Sequence, residues 1–105
     1  MKMIVAIIRP EKVQCVKEAL SAIGVNGVTI VQVKGRGSQA GLKFTNRIGS
    51  FVVDEIEKTM LEIVIDDEKK QDVIDAVKDA ASTGHIGDGR IFVLPVEESI
   101  KVHDD

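Results

Sequence analysis

Met60-Leu61-Glu62-Ile63-Val64-Ile65, followed by Asp66-Asp67-Glu68, a helical run, a glycine turn and the apolar stretch Ile91 to Leu94, repeats a pattern already laid down at the start of the chain. There Met3-Ile4-Val5-Ala6-Ile7-Ile8 leads through Pro10-Glu11 into a helical run, then through Asn26-Gly27 into Val28 to Val33. Pro10 suits the first position of a helix and Gly24, just past Ile23, suits its stop. Val13, Val16, Leu20 and Ile23 share one helical face; Val73, Val77, Ala80 and Ala81 share a face of the second helix, flanked by Asp72, Asp75 and Lys78. A duplicated βαβ unit results. The expected fold is α+β: one domain spanning residues 1–105, a ferredoxin-like βαββαβ sandwich with both helices on one side of a four-stranded sheet.

The first strand is apolar on both faces, with Met3, Val5 and Ile7 on one and Ile4, Ala6 and Ile8 on the other. Two helices cover only one face, so the other calls for self-association or for the segment between Gly35 and Thr59 folding back over it. That segment, Arg36 to Lys58, is neither strand-like nor helix-like for most of its length and regains apolar character at Phe51-Val52-Val53. Connections this long in a small domain are commonly functional.

Composition narrows the function. A net charge of −3, with three Phe and no Tyr or Trp, argues against a nucleic-acid surface of basic patches and stacking rings. No apolar run approaches the ~20 residues needed to cross a bilayer, so no membrane insertion and a cytoplasmic location are expected. Cys15 is the single cysteine and forms no internal disulfide; helical spacing turns it away from the apolar stripe.

The most informative string is Thr83-Gly84-His85-Ile86-Gly87-Asp88-Gly89-Arg90-Ile91-Phe92-Val93. Three glycines in six positions let the main chain turn tightly and approach a ligand, and Arg90 adds a forked, permanently charged donor. Consecutive amides in such a turn form a concave anion site, which an arginine at the exit completes for phosphate. The plain alternative is a glycine-rich hairpin turn.

This string resembles the signature of the P-II nitrogen-regulatory proteins, Thr-Gly-x-Ile-Gly-Asp-Gly-(Lys/Arg)-Ile-Phe-Val, at every fixed position. The similarity continues from Met1 to about Lys101 through Ile7-Ile8-Arg9-Pro10, Val33-Lys34-Gly35, Gln39, Gly41, Lys58 and Glu62-Ile63-Val64. The resemblance implies a homotrimer with sheets facing inward, a mobile arm (the T-loop, 36–58), a nucleotide-binding loop (83–90) and a C-terminal loop (96–105). It implies ATP or ADP in a cleft between subunits, with phosphates at Gly87, Asp88, Gly89, Arg90 and the Gly35-Arg36-Gly37-Ser38 turn. Adenine and ribose would lie near Ile7, Val64, Val28 and Thr29. Read from the sequence alone, Ile7, Val28 and Val64 are simply core residues.

Further expectations follow from the same likeness. Lys101 and His103 stand where the family usually presents two arginines to the phosphates; lysine lacks the fork, and histidine is near neutral at pH 7. Gln39 corresponds to the glutamine that coordinates Mg²⁺ bridged to ATP and 2-oxoglutarate, Lys58 to the lysine holding the distal carboxylate, and Gly41 with the Ile86-Gly87 backbone to the pocket wall. Ser38 and Ala40 depart from the arginine and lysine common there. Phe51 replaces the tyrosine that uridylylated branches modify, so that modification is chemically impossible, while Ser50 beside it retains a hydroxyl. The implied role is a non-enzymatic sensor acting on a protein of nitrogen metabolism, such as an ammonium transporter, nitrogenase or glutamine synthetase. Two other readings stand beside it: a small acylphosphatase-like or phosphate-transferring enzyme using Asp88, His85 or His103, and an RNA-binding module, for which Phe92 is the only aromatic in any predicted strand.

Overall fold

Strand β1 (Lys2–Ile8) is the organising element, because it pairs antiparallel with two partners at once. The computed structural model describes residues 1–36, 42–45, 50–53 and 55–104. After β1 a 3₁₀ turn begun by Pro10 feeds α1 (Val13–Ala22); β2 (Thr29–Gly35), a hairpin of β3 (Leu42–Thr45) and β4 (Ser50–Val53), and β5 (Ile56–Ile65) follow. A second 3₁₀ turn leads into α2 (Lys70–Ala81), and β6 (Gly89–Pro95) closes the sheet. The four-stranded sheet runs β2-β5-β1-β6 with every neighbour antiparallel. This is the expected ferredoxin-like arrangement.

Alternation along the strands builds the core. Ile4, Ala6 and Ile8 of β1 and Leu61 and Ile63 of β5 face the helices, meet Val16, Leu20, Val73, Val77 and Ala81, and are all buried. Cys15, off this stripe, is exposed as its spacing requires. At the end of α1 the Val25 amide donates to Leu20 O (2.9 Å) and the Gly24 amide to Ser21 O (3.0 Å), while Gly24 has φ 81°. That is a Schellman stop, which only glycine enters without strain. Lys69 Nζ donates to Ile23 O (2.8 Å), tying the first helix to the start of the second.

The opposite sheet face is open. Val31, Val64, Phe92 and Leu94 are each 38 to 48 % exposed, so no other part of the described chain covers these side chains. The apolar face is therefore available to another molecule, while the fold-back alternative concerns an arm of which residues 37–41, 46–49 and 54 lie outside the described residues.

Three expectations need correction. The arm, expected to be neither strand-like nor helix-like for most of its length, holds two short strands: β3 and β4 pair through Leu42 opposite Val53 and Phe44 opposite Phe51, so Phe92 is not the only aromatic in a strand. β5 starts at Ile56, before the predicted apolar run, because Ile56 to Thr59 continue the ladder opposite Gly35 to Gln32. Val28 precedes β2, and β6 begins at Gly89 inside the glycine turn.

Position 89 requires glycine for a measurable reason. Its φ is +123°, and a Cβ there would lie 1.9 Å from the Ile7 carbonyl oxygen. Backbone, not a yielding side chain, blocks the space. Gly89→Ala is therefore expected to cost more than about 1 kcal/mol in urea unfolding, whereas Gly27→Ala, with nothing within 4 Å of the new methyl group, should stay within about 0.5 kcal/mol of the parent.

Candidate functional site

The glycine loop is shaped by a carboxylate. Asp88 Oδ2 accepts the amides of Thr83 (2.7 Å) and Gly84 (3.1 Å), and Oδ1 accepts the Thr83 hydroxyl and Arg9 Nε (3.2 Å). The His85 amide in turn donates to Thr83 Oγ1 (3.3 Å). These donors favour the ionised carboxyl, with the Thr83 hydroxyl the largest contributor, and hold its pKa far below the usual carboxylate range. Asp88 is thus a staple of the loop, and its lone pairs are occupied by protein.

Two cations grip the same loop from the sheet. Arg9, at the end of β1, donates Nη2 to Ile86 O (2.7 Å) while its Nε meets Asp88; Lys58 Nζ donates to Gly87 O. Burial pushes the Lys58 ammonium below the ordinary lysine pKa and the nearby Arg9 charge adds to this, against opposite pulls from Glu11 and Asp88. Each cation is a multiple donor, so both can accept an anion without releasing the loop. Arg90, directly opposite Ile7 in the β1–β6 register, is exposed. Gly87 at φ 94° and Gly89 at φ 123° let the backbone turn tightly past this end of the sheet.

The expected binding residues fall into two groups. Ile7, Gly35, Lys58, Ile86, Gly87, Asp88, Gly89 and Arg90 gather at the loop end of the sheet, where β1 ends and β5 begins. Val28, Thr29 and Val64 lie at the other end: Thr29 is opposite Glu62, and Val64 opposite Met3. Since Ile7 is opposite Met60, four residues separate it from Val64 along the ladder, or about 13 Å. A single chain does not bring Ile7 and Val64 together. The C-terminal segment belongs to the far group, because Ser99 lines a cavity of ≈480 Å³ with Gly27, Val64 and Met1; Lys101 and His103 follow it and are exposed. Gly37, Ser38, Gln39, Ala40 and Gly41 lie outside the described residues.

Arg9 is the functional side chain that site reasoning from sequence missed. It sits 77 to 79 positions from its partners Ile86 and Asp88, and only β1–β6 pairing brings them together. His85, by contrast, is exposed, as its place in the turn suggested.

Fold and loop together define the class of ferredoxin-like α+β sandwiches, here with an Asp-stapled glycine loop flanked by arginine and lysine. The family model "Nitrogen regulatory protein P-II" matches residues 1–105. The chain is 45% identical over 102 residues to nitrogen regulatory protein P-II 2 of Methanothermobacter thermautotrophicus, covering 97% of this chain and 89% of the relative. It is 47% identical to nitrogen regulatory protein P-II of Rhizobium meliloti (97% and 91% covered) and 46% identical to nitrogen regulatory protein GlnK2 of Haloferax mediterranei (96% and 82%). The chain belongs to the P-II family of nitrogen regulatory proteins; it is a regulator of nitrogen metabolism, not an enzyme. Among the described residues no helix is long and apolar enough to cross a membrane.

The staple gives a pH signature. Asp88 is held ionised in the folded chain, so its contribution is complete above the unfolded carboxylate pKa of about 3.9 and is lost as pH falls below it. The stability gap between the parent and Asp88→Asn should be constant from about pH 7 to 5 and shrink progressively below about pH 4, as read from urea midpoints.

Proposed function

We propose that the chain acts as a cytoplasmic homotrimeric sensor in which ATP and ADP compete for three clefts, each built from the loop end of one protomer and the far end of the next. The observation that supports this reading is that the expected binding residues stand at opposite ends of one sheet whose open face is apolar. A cyclic assembly buries that face and, with strands inclined to its axis, sets Ile7 and Arg90 of one copy against Thr29 and Val64 of its neighbour. Phosphates then meet the Gly87–Gly89 backbone and Arg90, with Lys101 and His103 arriving from the far-end side.

The second effector is 2-oxoglutarate, with Mg²⁺. Among the described residues no group of three His, Cys, Asp or Glu could hold a metal by itself, and Asp88 is already engaged. That donor set fits an ion carried in by phosphate and a chelating oxo-acid, with Gln39 supplying a protein oxygen. Mg²⁺ would supply the charge that joins the two anions; Lys58, beside the Gly87 carbonyl, would take the distal carboxylate, and Gly41 and the Ile86-Gly87 backbone would close the pocket. The arm from Arg36 to Lys58 starts and ends at this site, so effector binding sets its shape and thereby its affinity for a protein of nitrogen metabolism: an ammonium transporter, nitrogenase or glutamine synthetase. Phe51 makes the arm refractory to uridylylation at that position; Ser50 is the hydroxyl that remains beside it.

Calorimetry with ATP, ADP and 2-oxoglutarate, each with and without Mg²⁺, tests the whole reading. Arg90→Ala should weaken ATP binding ~10-fold or more, the scale of a charged hydrogen bond; Lys58→Ala should keep ATP and lose 2-oxoglutarate. No uptake of ATP or ADP at millimolar concentration by the parent refutes the reading. His103→Ala should weaken ATP binding, because it removes a side chain that this reading places at the phosphates.

A further inference from the structure

The open sheet face is apolar around Val5, Val31, Met60, Val64 and Phe92, yet it carries a carboxylate near its centre. Glu62 lies in register with Val5 on one side and Thr29 on the other, is already half-buried in a single chain, and has no hydrogen-bonding or ionic partner among the described residues. Covering this face with a second copy would strand that charge, which is costly unless a donor arrives with the covering surface. Arg90 is the matching charge on the same face. It too lacks a partner among the described residues, and it stands two strands across and two residues along from Glu62, a separation of about 12 Å. The two are not paired within one protomer, and β1 lies between them.

We propose that in the nucleotide-free assembly Glu62 of one protomer pairs with Arg90 of the next, and that an incoming phosphate takes Arg90 away from it. This rests on the composite cleft proposed above: Glu62 belongs to the far half, opposite Thr29 and two residues from Val64, and Arg90 to the loop half, opposite Ile7. Wherever those halves meet, the two charges meet with them. A carboxylate is a fair mimic of phosphate for a guanidinium fork, so Glu62 keeps Arg90 ordered and neutralised while the cleft is empty. Nucleotide binding then exchanges an ion pair across the interface for one with ligand. The cleft thereby couples occupancy to the strength of the subunit contact.

The test is a double-mutant cycle on the full chain. Sedimentation in increasing urea gives the midpoint for loss of the trimer in the parent, Glu62→Gln, Arg90→Gln, the double variant, and the charge-swapped Glu62→Arg/Arg90→Glu chain, with circular dichroism confirming that each protomer is folded. Without nucleotide each single change should lower the midpoint, the double should lower it little further, and the swap should recover most of the loss. With saturating ATP the deficit of Glu62→Gln should vanish, because Arg90 has turned to phosphate. Additive losses, a swap that recovers nothing, or a Glu62→Gln deficit unchanged by ATP would overturn the pairing while leaving the composite cleft intact. A parent chain that is monomeric without urea would remove the cleft and the pairing together.

Discussion

Everything at the loop end of this protein depends on how closely β6 can approach β1. The main chain at Gly89 passes the Ile7 carbonyl at a distance that leaves no room for a Cβ, and that contact sets the register placing Arg90 opposite Ile7 and Phe92 opposite Val5. β1 pairs on its other edge with β5 in a register of its own, which places Met60 opposite Ile7, Glu62 opposite Val5 and Val64 opposite Met3. The glycine contact thus aligns β6 on a strand that β5 aligns from the other side. Shift it by a residue and Arg90 turns to the helix side, because side chains alternate faces along a strand.

The loop before that contact is rigidified from within. Asp88 gathers the Thr83 hydroxyl and the Thr83 and Gly84 amides, while Arg9 clamps Asp88 and the Ile86 carbonyl together. Positive charge from Arg9 and Lys58 is therefore used partly to hold carbonyls, and both groups remain poised beside the backbone they hold. A ligand arriving at such a loop meets donors already in place, which lowers the ordering cost of binding. In the arm, the two short strands β3 and β4 pair only with each other among the described residues.

The fold was legible because its two halves repeat and because each apolar period points to one side: Ile4, Ala6 and Ile8 inward on the strand, Val16 and Leu20 inward on the helix. The tight turn was legible as a string, since Gly87 and Gly89 both take the positive φ that glycine allows. Less could be read of how the loop is held. The string does not reveal that Asp88 accepts from four donors of its own chain, and Arg9 looks like a strand-end charge until β6 lies beside β1. The β3–β4 hairpin was missed because four-residue strands such as Leu42-Lys43-Phe44-Thr45 are too short for alternation to separate them from loop. Glu62 was hidden inside an otherwise apolar strand, where its neighbours dominate the reading.

The central claim is that the site is divided between the two ends of one sheet face and is complete only between copies. Mixed assemblies test it most directly, by refolding together a chain damaged at the loop half (Arg90→Ala) and a chain damaged at the far half (Thr29→Ala/Val64→Ala), then titrating ATP. A divided site predicts that each pure variant binds weakly while a minority of the clefts in the mixture regain parent-like affinity, because a cleft formed from the undamaged half of each chain is whole. Binding by the mixture no stronger than the average of the two pure variants would contradict it.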